Sequence, residues 1–206
     1  MNAISHPIVP SAGVDEARLR FPMQEIMARV LRDATDEALT QLMFIGVARK
    51  VGTTFVAQQA ASHLAAAFGS VLVIEVSANV DDSEMLAGDL KRLRVPNHSV
   101  VRISLSVNSC LKLLGHGGES PAALAERLRE HFDLVLWDMP SPTFAPVSIV
   151  AARHMNSIVL VAQANKSRRH AAKYVCDRLE DSGGNILGVV LNRTLNFIPE
   201  WLYRWL

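Results

Sequence analysis

The chain has 206 residues, of which 50% are hydrophobic and 20% charged, and this composition fits one soluble globular domain with a sizeable core. Its 21 basic and 20 acidic side chains nearly cancel, so net charge alone draws the protein neither to nucleic acid nor to an anionic membrane. The chain has two widely separated cysteines and no signal-peptide pattern, which argues against secretion. It also has no apolar run of about 18 residues, which argues against a membrane-spanning helix. These features predict a cytoplasmic protein.

The N-terminal part predicts an arm, a helix and a first strand. Residues 1–14 contain two prolines and no periodicity, which indicates a flexible arm. Helical spacing follows over about 15–41, with Ile26, Val30 and Leu31 on one side. The apolar run LMFIGV then predicts a buried strand that ends at a glycine-containing loop. The alanine-rich run TTFVAQQAASHLAAAFG after the loop predicts a helix that stops at Gly69.

Strand and helix patterns alternate through the rest of the chain. SVLVIEV, VVRISL, DLVLWDMP, NSIVLVAQ and NILGVVLN predict strands. Helices are predicted over about 82–92, PAALAERLREHF, about 146–153 and SRRHAAKYVCDRLEDSGG. This alternation predicts an α/β protein with a doubly wound, mostly parallel sheet flanked by helices. Ligands bind such sheets at the carboxyl ends of the strands, where Gly52, Glu75, Asp138 and Asn192 are expected to gather.

The segment FIGVARKVGTT at residues 44–54 has the outline of a phosphate-binding loop. In the standard loop, G-x-x-x-x-G-K-[ST], backbone amides cradle phosphates, the lysine reaches the β- and γ-phosphates, and the hydroxyl residue binds Mg²⁺. Gly52 and Thr54 occupy the second glycine and hydroxyl positions. Thr53 occupies the lysine position, Val47 occupies the first glycine position, and Gly46 lies one place too early. The loop therefore predicts a nucleotide site whose phosphoryl chemistry is weak or lost.

Four stretches, in this order, carry a family resemblance: GVARKVGTT, VLVIEVSAN, FDLVLWDMPSP and ILGVVLNR. With them the chain resembles the P-loop ATPases of the MinD/ParA type. It is most similar to the cytoplasmic tyrosine-kinase group of bacterial exopolysaccharide biosynthesis, the CpsD/CapB-like proteins. The resemblance implies a P-loop NTPase-like domain over residues 15–196, followed by the aromatic segment 197–206.

The resemblance also implies roles for individual residues. Thr54 and Asp138 match the residues that hold Mg²⁺ and its water shell, and Asn192 matches an asparagine that reads the purine edge. Asp138 and Glu75 are the candidate catalytic carboxylates, because Glu75 stands in the family's second acidic motif, I-D-x-D. In that motif Ser77 replaces the second aspartate, and Ala48 stands where the MinD group carries a second lysine. The implied ligand is ATP or ADP with Mg²⁺.

The missing lysine leads to one leading hypothesis and two alternatives. The leading hypothesis is a regulatory pseudoenzyme of exopolysaccharide biosynthesis or export, with nucleotide as an optional ligand. It has no autokinase activity, because the clustered C-terminal tyrosines of the kinases are absent and only Tyr174 and Tyr203 occur. One alternative is an active ATPase in which Arg49 or Lys50, which also belong to the nucleotide-binding loop, replaces the lysine. The other is a MinD/ParA-like positioning protein.

The ending FIPEWLYRWL holds four of the chain's 12 aromatic residues. Its apolar helical face either packs on the domain itself or docks on a partner, and segment 197–206 is assigned as a docking segment. The expected partner is a membrane component of a polysaccharide synthesis or export system, which brings a cytoplasmic chain to the membrane; homo-oligomers are also compatible with the family. No nucleic acid is expected, since the basic stretch KSRRHAAK fits a solvated helix start better than a DNA-binding patch.

Overall fold

The computed structural model describes residues 41–78, 99–114 and 120–193, together with Ala28. These residues form six strands and five helices. The strands are β1 (Gln41–Gly46), β2 (Val71–Ser77), β3 (Val100–Ser106), β4 (Leu134–Met139), β5 (Ser157–Gln163) and β6 (Ile186–Asn192). The helices are α1 (Thr53–Phe68), α2 (Val107–Leu114), α3 (Pro121–Arg129), α4 (Val147–Ala152) and α5 (Arg169–Asp181).

The six strands form one sheet in the order β3-β2-β4-β1-β5-β6, and every neighbouring pair is parallel. This confirms the predicted doubly wound α/β fold. The connection from β1 to β2 runs toward the β3 edge, whereas those from β3 to β4, β4 to β5 and β5 to β6 run toward the opposite edge. Because such crossovers are right-handed, α1 lies on one face of the sheet and α2 to α5 lie on the other.

The core lies on both faces of the central strands. Every residue of β1 and of β4 is buried, as the absence of polar alternation predicts for a covered parallel strand. Helix α1 packs against the sheet through small side chains such as Ala57, Ala60 and Ala61, which allow a close approach, and through Leu64, which is fully buried. Burying one leucine of this kind contributes roughly 2 kcal/mol to folding.

Three details of the predicted elements were wrong. Gln41 belongs to β1 and not to the preceding helix, because its backbone pairs beside Val135 and its N–H donates to Asn156 Oδ1 at 2.8 Å. Helix α2 had not been predicted; the Ser106 hydroxyl caps its first turn by accepting from the Ser109 N–H at 3.0 Å. Helix α3 ends at Arg129, three residues earlier than the pattern suggested.

Several other predictions lie outside the described residues: the arm over 1–14, the helix over 82–92, the tail over 197–206 and, except for the helical Ala28, the first helix.

Both cysteines are free, as expected. Within the described ranges, no helix combines the length and the apolar character needed to cross a bilayer.

Candidate functional site

An open cleft of about 290 Å³ lies at the carboxyl ends of the central strands. Its walls are the loop between β1 and α1 (residues 48–50 and 52–54), the end of β2 (75–77), and the end of β4 with the segment after it (138–141 and Phe144). The strand order reverses beside β1 and β4, and parallel sheets bind ligands at such a switch point. The cleft therefore lies where the sequence predicted it.

Two glycines give the loop its shape. Gly52 adopts φ 90°, and a Cβ atom placed there would overlap Asn192 Nδ2. A Cβ at Gly46 would lie 2.6 Å from Thr53 Oγ1 and 2.8 Å from Val51 Cγ2. Gly46 thus provides the close approach at the base of the loop, although it stands one position before the standard first glycine. When the loop was matched to the standard motif, Gly46 stood one place too early. Its role could have been inferred from its position as the last residue of a buried strand.

The N-terminus of α1 faces this cleft with Thr53 and Thr54 in its first turn. Within the described residues no side chain caps this end of the helix, and its first turn contains no acidic residue. The first-turn amides of a helix lack intrahelical partners and carry the positive end of the helix dipole. This arrangement fits a phosphate group.

Two carboxylates and a hydroxyl meet beside the helix start. Glu75 on β2 and Asp138 on β4 are register partners, so their side chains project from the same face of the sheet. The Thr54 hydroxyl lies close enough to Asp138 to lower the pKa of its carboxyl. Oxygen ligands of this kind suit Mg²⁺, which binds through one or two protein groups and keeps the rest of its shell for water and phosphate. The described ranges contain no cluster of three or more His, Cys, Asp or Glu side chains that could hold a metal. The cleft therefore offers two carboxylates and leaves the other ligand positions of a cation to water and phosphate.

Asp138 is the most perturbed acid of the cleft. It is only 5% exposed, and burial raises its pKa to about 6. The negative charge of Glu75 also raises this pKa, whereas the hydrogen bond with Thr54 and the positive charge of Arg102 lower it. The carboxylate is therefore electrostatically costly without a cation beside it, as expected for a group that binds one.

Arg49 and Lys50 stand at loop positions other than that of the missing lysine, which Thr53 occupies. The Thr53 hydroxyl lies at the base of the loop, beside the Cβ position of Gly46. The Arg49 guanidinium stacks on the ring of Phe144, 4.4 Å from its centroid. Lys50 lines the cleft from a left-handed backbone conformation, with φ 60°. Phe144 is 47% exposed where it lines the cleft, and no motif in the sequence singled it out.

Asn192 lies behind the loop and is not among the described residues that line the cleft. Its Nδ2 donates to the Val51 carbonyl at 2.9 Å, and its Oδ1 accepts from the Arg193 N–H at 2.8 Å. The side chain is 5% exposed. In this structure Asn192 therefore supports the loop from the last strand, and its predicted contact with a purine stays a prediction.

Comparisons with known proteins identify the fold. No protein-family model matches the sequence, and no curated protein matches it. Among solved structures, the kinase domain of the Escherichia coli tyrosine kinase Etk aligns with a TM-score of 0.67 and 21% identity, over 93% of this chain and 85% of that one. The cell-division protein MinD of Aquifex aeolicus aligns with a TM-score of 0.53 and 19% identity, over 81% of this chain and 73% of that one.

A third similar structure contains ligands. The cobyrinic acid a,c-diamide synthase of Mycobacterium smegmatis, with a bound ATP analogue and magnesium, aligns with a TM-score of 0.52 and 14% identity. The match covers 74% of this chain and 72% of that one. The sheet order, the loop after β1 and these three alignments agree: the chain has a P-loop NTPase-like α/β fold, similar to that of the Etk kinase domain and of MinD.

Proposed function

We propose that this chain is a regulatory P-loop protein of exopolysaccharide biosynthesis or export that acts by binding a partner. In this proposal it hydrolyses ATP weakly or not at all and has no autokinase activity. The observation that carries the proposal is the retained loop with Thr53 in the lysine position. The link to exopolysaccharides is supported by the sequence resemblance and by the fold shared with the Etk kinase domain.

Binding and catalysis place different demands on this cleft. The amides of the first turn of α1, the Thr54 hydroxyl and Asp138 are all present, and they are the groups that hold a Mg²⁺–nucleotide in its ground state. Phosphoryl transfer also needs a cation against the charge that develops on the transferred group. Loss of one such group costs on the order of 10³-fold in rate. Mg²⁺ would supply the remaining positive charge when bound. The arrangement supports binding without efficient turnover.

The position of Tyr174, the tyrosine within the described residues, supports the absence of autokinase activity. Tyr174 is 51% exposed on α5, and its hydroxyl accepts a hydrogen bond from Arg178 Nη1 at 3.2 Å. It is held on a helix and is not part of a tyrosine cluster, whereas Tyr203 lies outside the described residues. Regulation in this proposal comes instead from a docked partner. Segment 197–206 is the proposed docking site and a membrane component of the polysaccharide machinery is the proposed partner.

The test compares nucleotide binding and ATP hydrolysis between the parent chain and the Thr53→Lys variant. Calorimetry with Mg²⁺ is expected to show ATP or ADP binding to the parent without turnover above the background. Thr53→Lys restores the missing cation and is expected to gain hydrolysis, whereas the control Thr53→Ser keeps the hydroxyl and is expected to gain none. Rapid hydrolysis by the parent chain would show that the proposal is wrong.

One observation favours the alternative of an active ATPase. Arg49 and Lys50 both line the cleft, so each could approach a phosphate after a side-chain rotation. For Arg49 this rotation breaks the stack on Phe144, which is worth about 0.5–1 kcal/mol at an exposed site. Under this alternative, Lys50→Ala or Arg49→Ala abolishes turnover that the parent chain displays. A MinD/ParA-like positioning role shares the fold, and salt-sensitive binding to duplex DNA would favour its ParA-like form.

A further inference from the structure

Strand β3 places an arginine beside the acidic pair. Arg102 pairs with Val73 in the ladder between β2 and β3, and Ser104 pairs with Glu75. Alternate residues of a strand project from the same face. Arg102 therefore projects from the same face as Glu75, on the next strand and offset by two residues. Asp138, the register partner of Glu75 on β4, projects from that face as well.

Part of the Arg102 guanidinium group is buried without a hydrogen-bond partner among the described residues. The atoms concerned are Nε and Nη2. Burying a charged group costs free energy unless an opposite charge compensates it. Glu75 and Asp138 are the charges that do so, since they raise the pKa of Arg102 against the lowering caused by burial. An arginine remains charged in proteins, so it forms a permanent cation next to the carboxylates.

We propose that Arg102 is a positioning residue that serves as the counterion of the Glu75–Asp138 pair. It is not among the described residues that line the cleft, so it acts through the two carboxylates and not on the ligand. With Arg102 present, the three groups carry one net negative charge; without it they carry two. Arg102 thus limits how strongly the empty cleft attracts a divalent cation.

This role predicts a change in metal affinity with a definite sign. Removing the arginine charge is expected to tighten the binding of a divalent cation to the nucleotide-free chain by about tenfold. A residue needed only for folding would have the opposite effect, because a loosened strand β3 would misplace Glu75 and weaken metal binding. The sign of the change therefore separates an electrostatic role from a structural one.

The experiment measures Mn²⁺ binding to the full chain without nucleotide, from the electron paramagnetic resonance signal of free Mn²⁺. Arg102→Gln is expected to bind about tenfold more tightly than the parent, and Arg102→Lys, which keeps the charge, is expected to stay close to the parent. Arg129→Gln is the matched control, since it removes one positive charge from the exposed pair with Glu126 on α3. A folded Arg102→Gln chain with unchanged or weaker Mn²⁺ affinity would overturn the proposal.

Folding of the variant is checked by circular dichroism. If Arg102→Gln alone does not fold, the double variant Glu75→Gln/Arg102→Gln is expected to fold, because it removes one charge of each sign from the same region. Failure of the double variant would also overturn the proposal.

The inference rests on the proposed function in one respect, because it treats the cleft as a nucleotide site that has lost its lysine. The two tests remain separate, since one measures ATP turnover and the other measures Mn²⁺ binding without nucleotide. If the parent chain hydrolyses ATP rapidly, the proposed function fails while the Mn²⁺ measurement still decides the role of Arg102.

Discussion

Asp138→Asn is expected to stabilise the folded chain above pH 6 while removing its response to Mg²⁺. Burial raises the pKa of Asp138 from its ordinary value of 3.8 to about 6. Each pKa unit corresponds to about 1.36 kcal/mol, so keeping this carboxylate ionised costs the folded state about 3 kcal/mol. Asparagine removes that cost because it carries no charge.

The sign follows from proton linkage. A carboxyl with a higher pKa in the folded chain binds its proton more tightly there than in the unfolded chain. The parent chain therefore loses stability as the pH rises from about 4 to about 6 and does not regain this contribution above it. Asparagine keeps one oxygen as an acceptor, but its buried NH₂ group lacks a partner at a cost of about 1 kcal/mol. The expected net gain is about 2 kcal/mol at pH 8, and it disappears near pH 4.

The assay is urea unfolding followed by circular dichroism between pH 4 and pH 8, with and without Mg²⁺. Without Mg²⁺, the difference in unfolding free energy between Asp138→Asn and the parent should grow with pH across the window. With Mg²⁺, only the parent midpoint should rise, since the variant lacks the carboxylate that we propose as a metal ligand. Asp177→Asn, which removes an exposed carboxylate bonded to Lys173 at 2.9 Å, controls for the change in net charge. A difference that is independent of pH, or largest at pH 4, would refute the reasoning.

Three further predictions concern the loop. Gly52→Ala is expected to lower the unfolding free energy by about 2 kcal/mol in thermal unfolding, because φ is 90° and the new methyl group overlaps Asn192. Gly183→Ala should cost less, because Gly183 has a similar φ of 83° but a methyl group there would make only an ordinary contact with Arg153. Phe144→Ala releases Arg49 from the stacked ring and is expected to improve nucleotide affinity by about two- to fivefold in calorimetry; reduced affinity would contradict it. Asn192→Ala leaves a loop carbonyl without its buried donor and is expected to cost about 1–3 kcal/mol in urea unfolding.

The fold could be predicted from the sequence because its strands are short apolar runs separated by helices of clear periodicity. The runs in β1, β4 and β5 are buried on both faces, so no polar alternation obscured them. Helix α2 was missed because it follows β3 directly, without a loop, and its cap is the Ser106 hydroxyl of the strand itself. A boundary set by one side-chain hydrogen bond leaves little trace in a hydrophobic pattern.

The candidate site was predictable only in part. The positions of Glu75 and Asp138 at neighbouring strand ends follow from the parallel order of the sheet, and the structure places them in register. The stack of Arg49 on Phe144 joins residues from different loops and depends on the path of each backbone. The orientation of Asn192 toward Val51 likewise depends on the backbone at the end of β6, where Asn192 pairs with Gln163 of β5. Pairwise contacts of this kind are set by tertiary packing and not by local pattern.

The hydrogen bond from Asn192 to Val51 joins the loop between β1 and α1 to an edge strand of the described sheet. Edge strands detach more easily than central ones, because one side of their backbone lacks a neighbouring strand. Whenever β6 detaches, the loop loses this hydrogen bond. The free energy needed to break the bond therefore cannot exceed the free energy needed to detach β6 from the sheet. A protein that covers β6 would therefore tighten the loop without touching the cleft. Hydrogen exchange at the loop amides would then be slower when a protein is bound at β6.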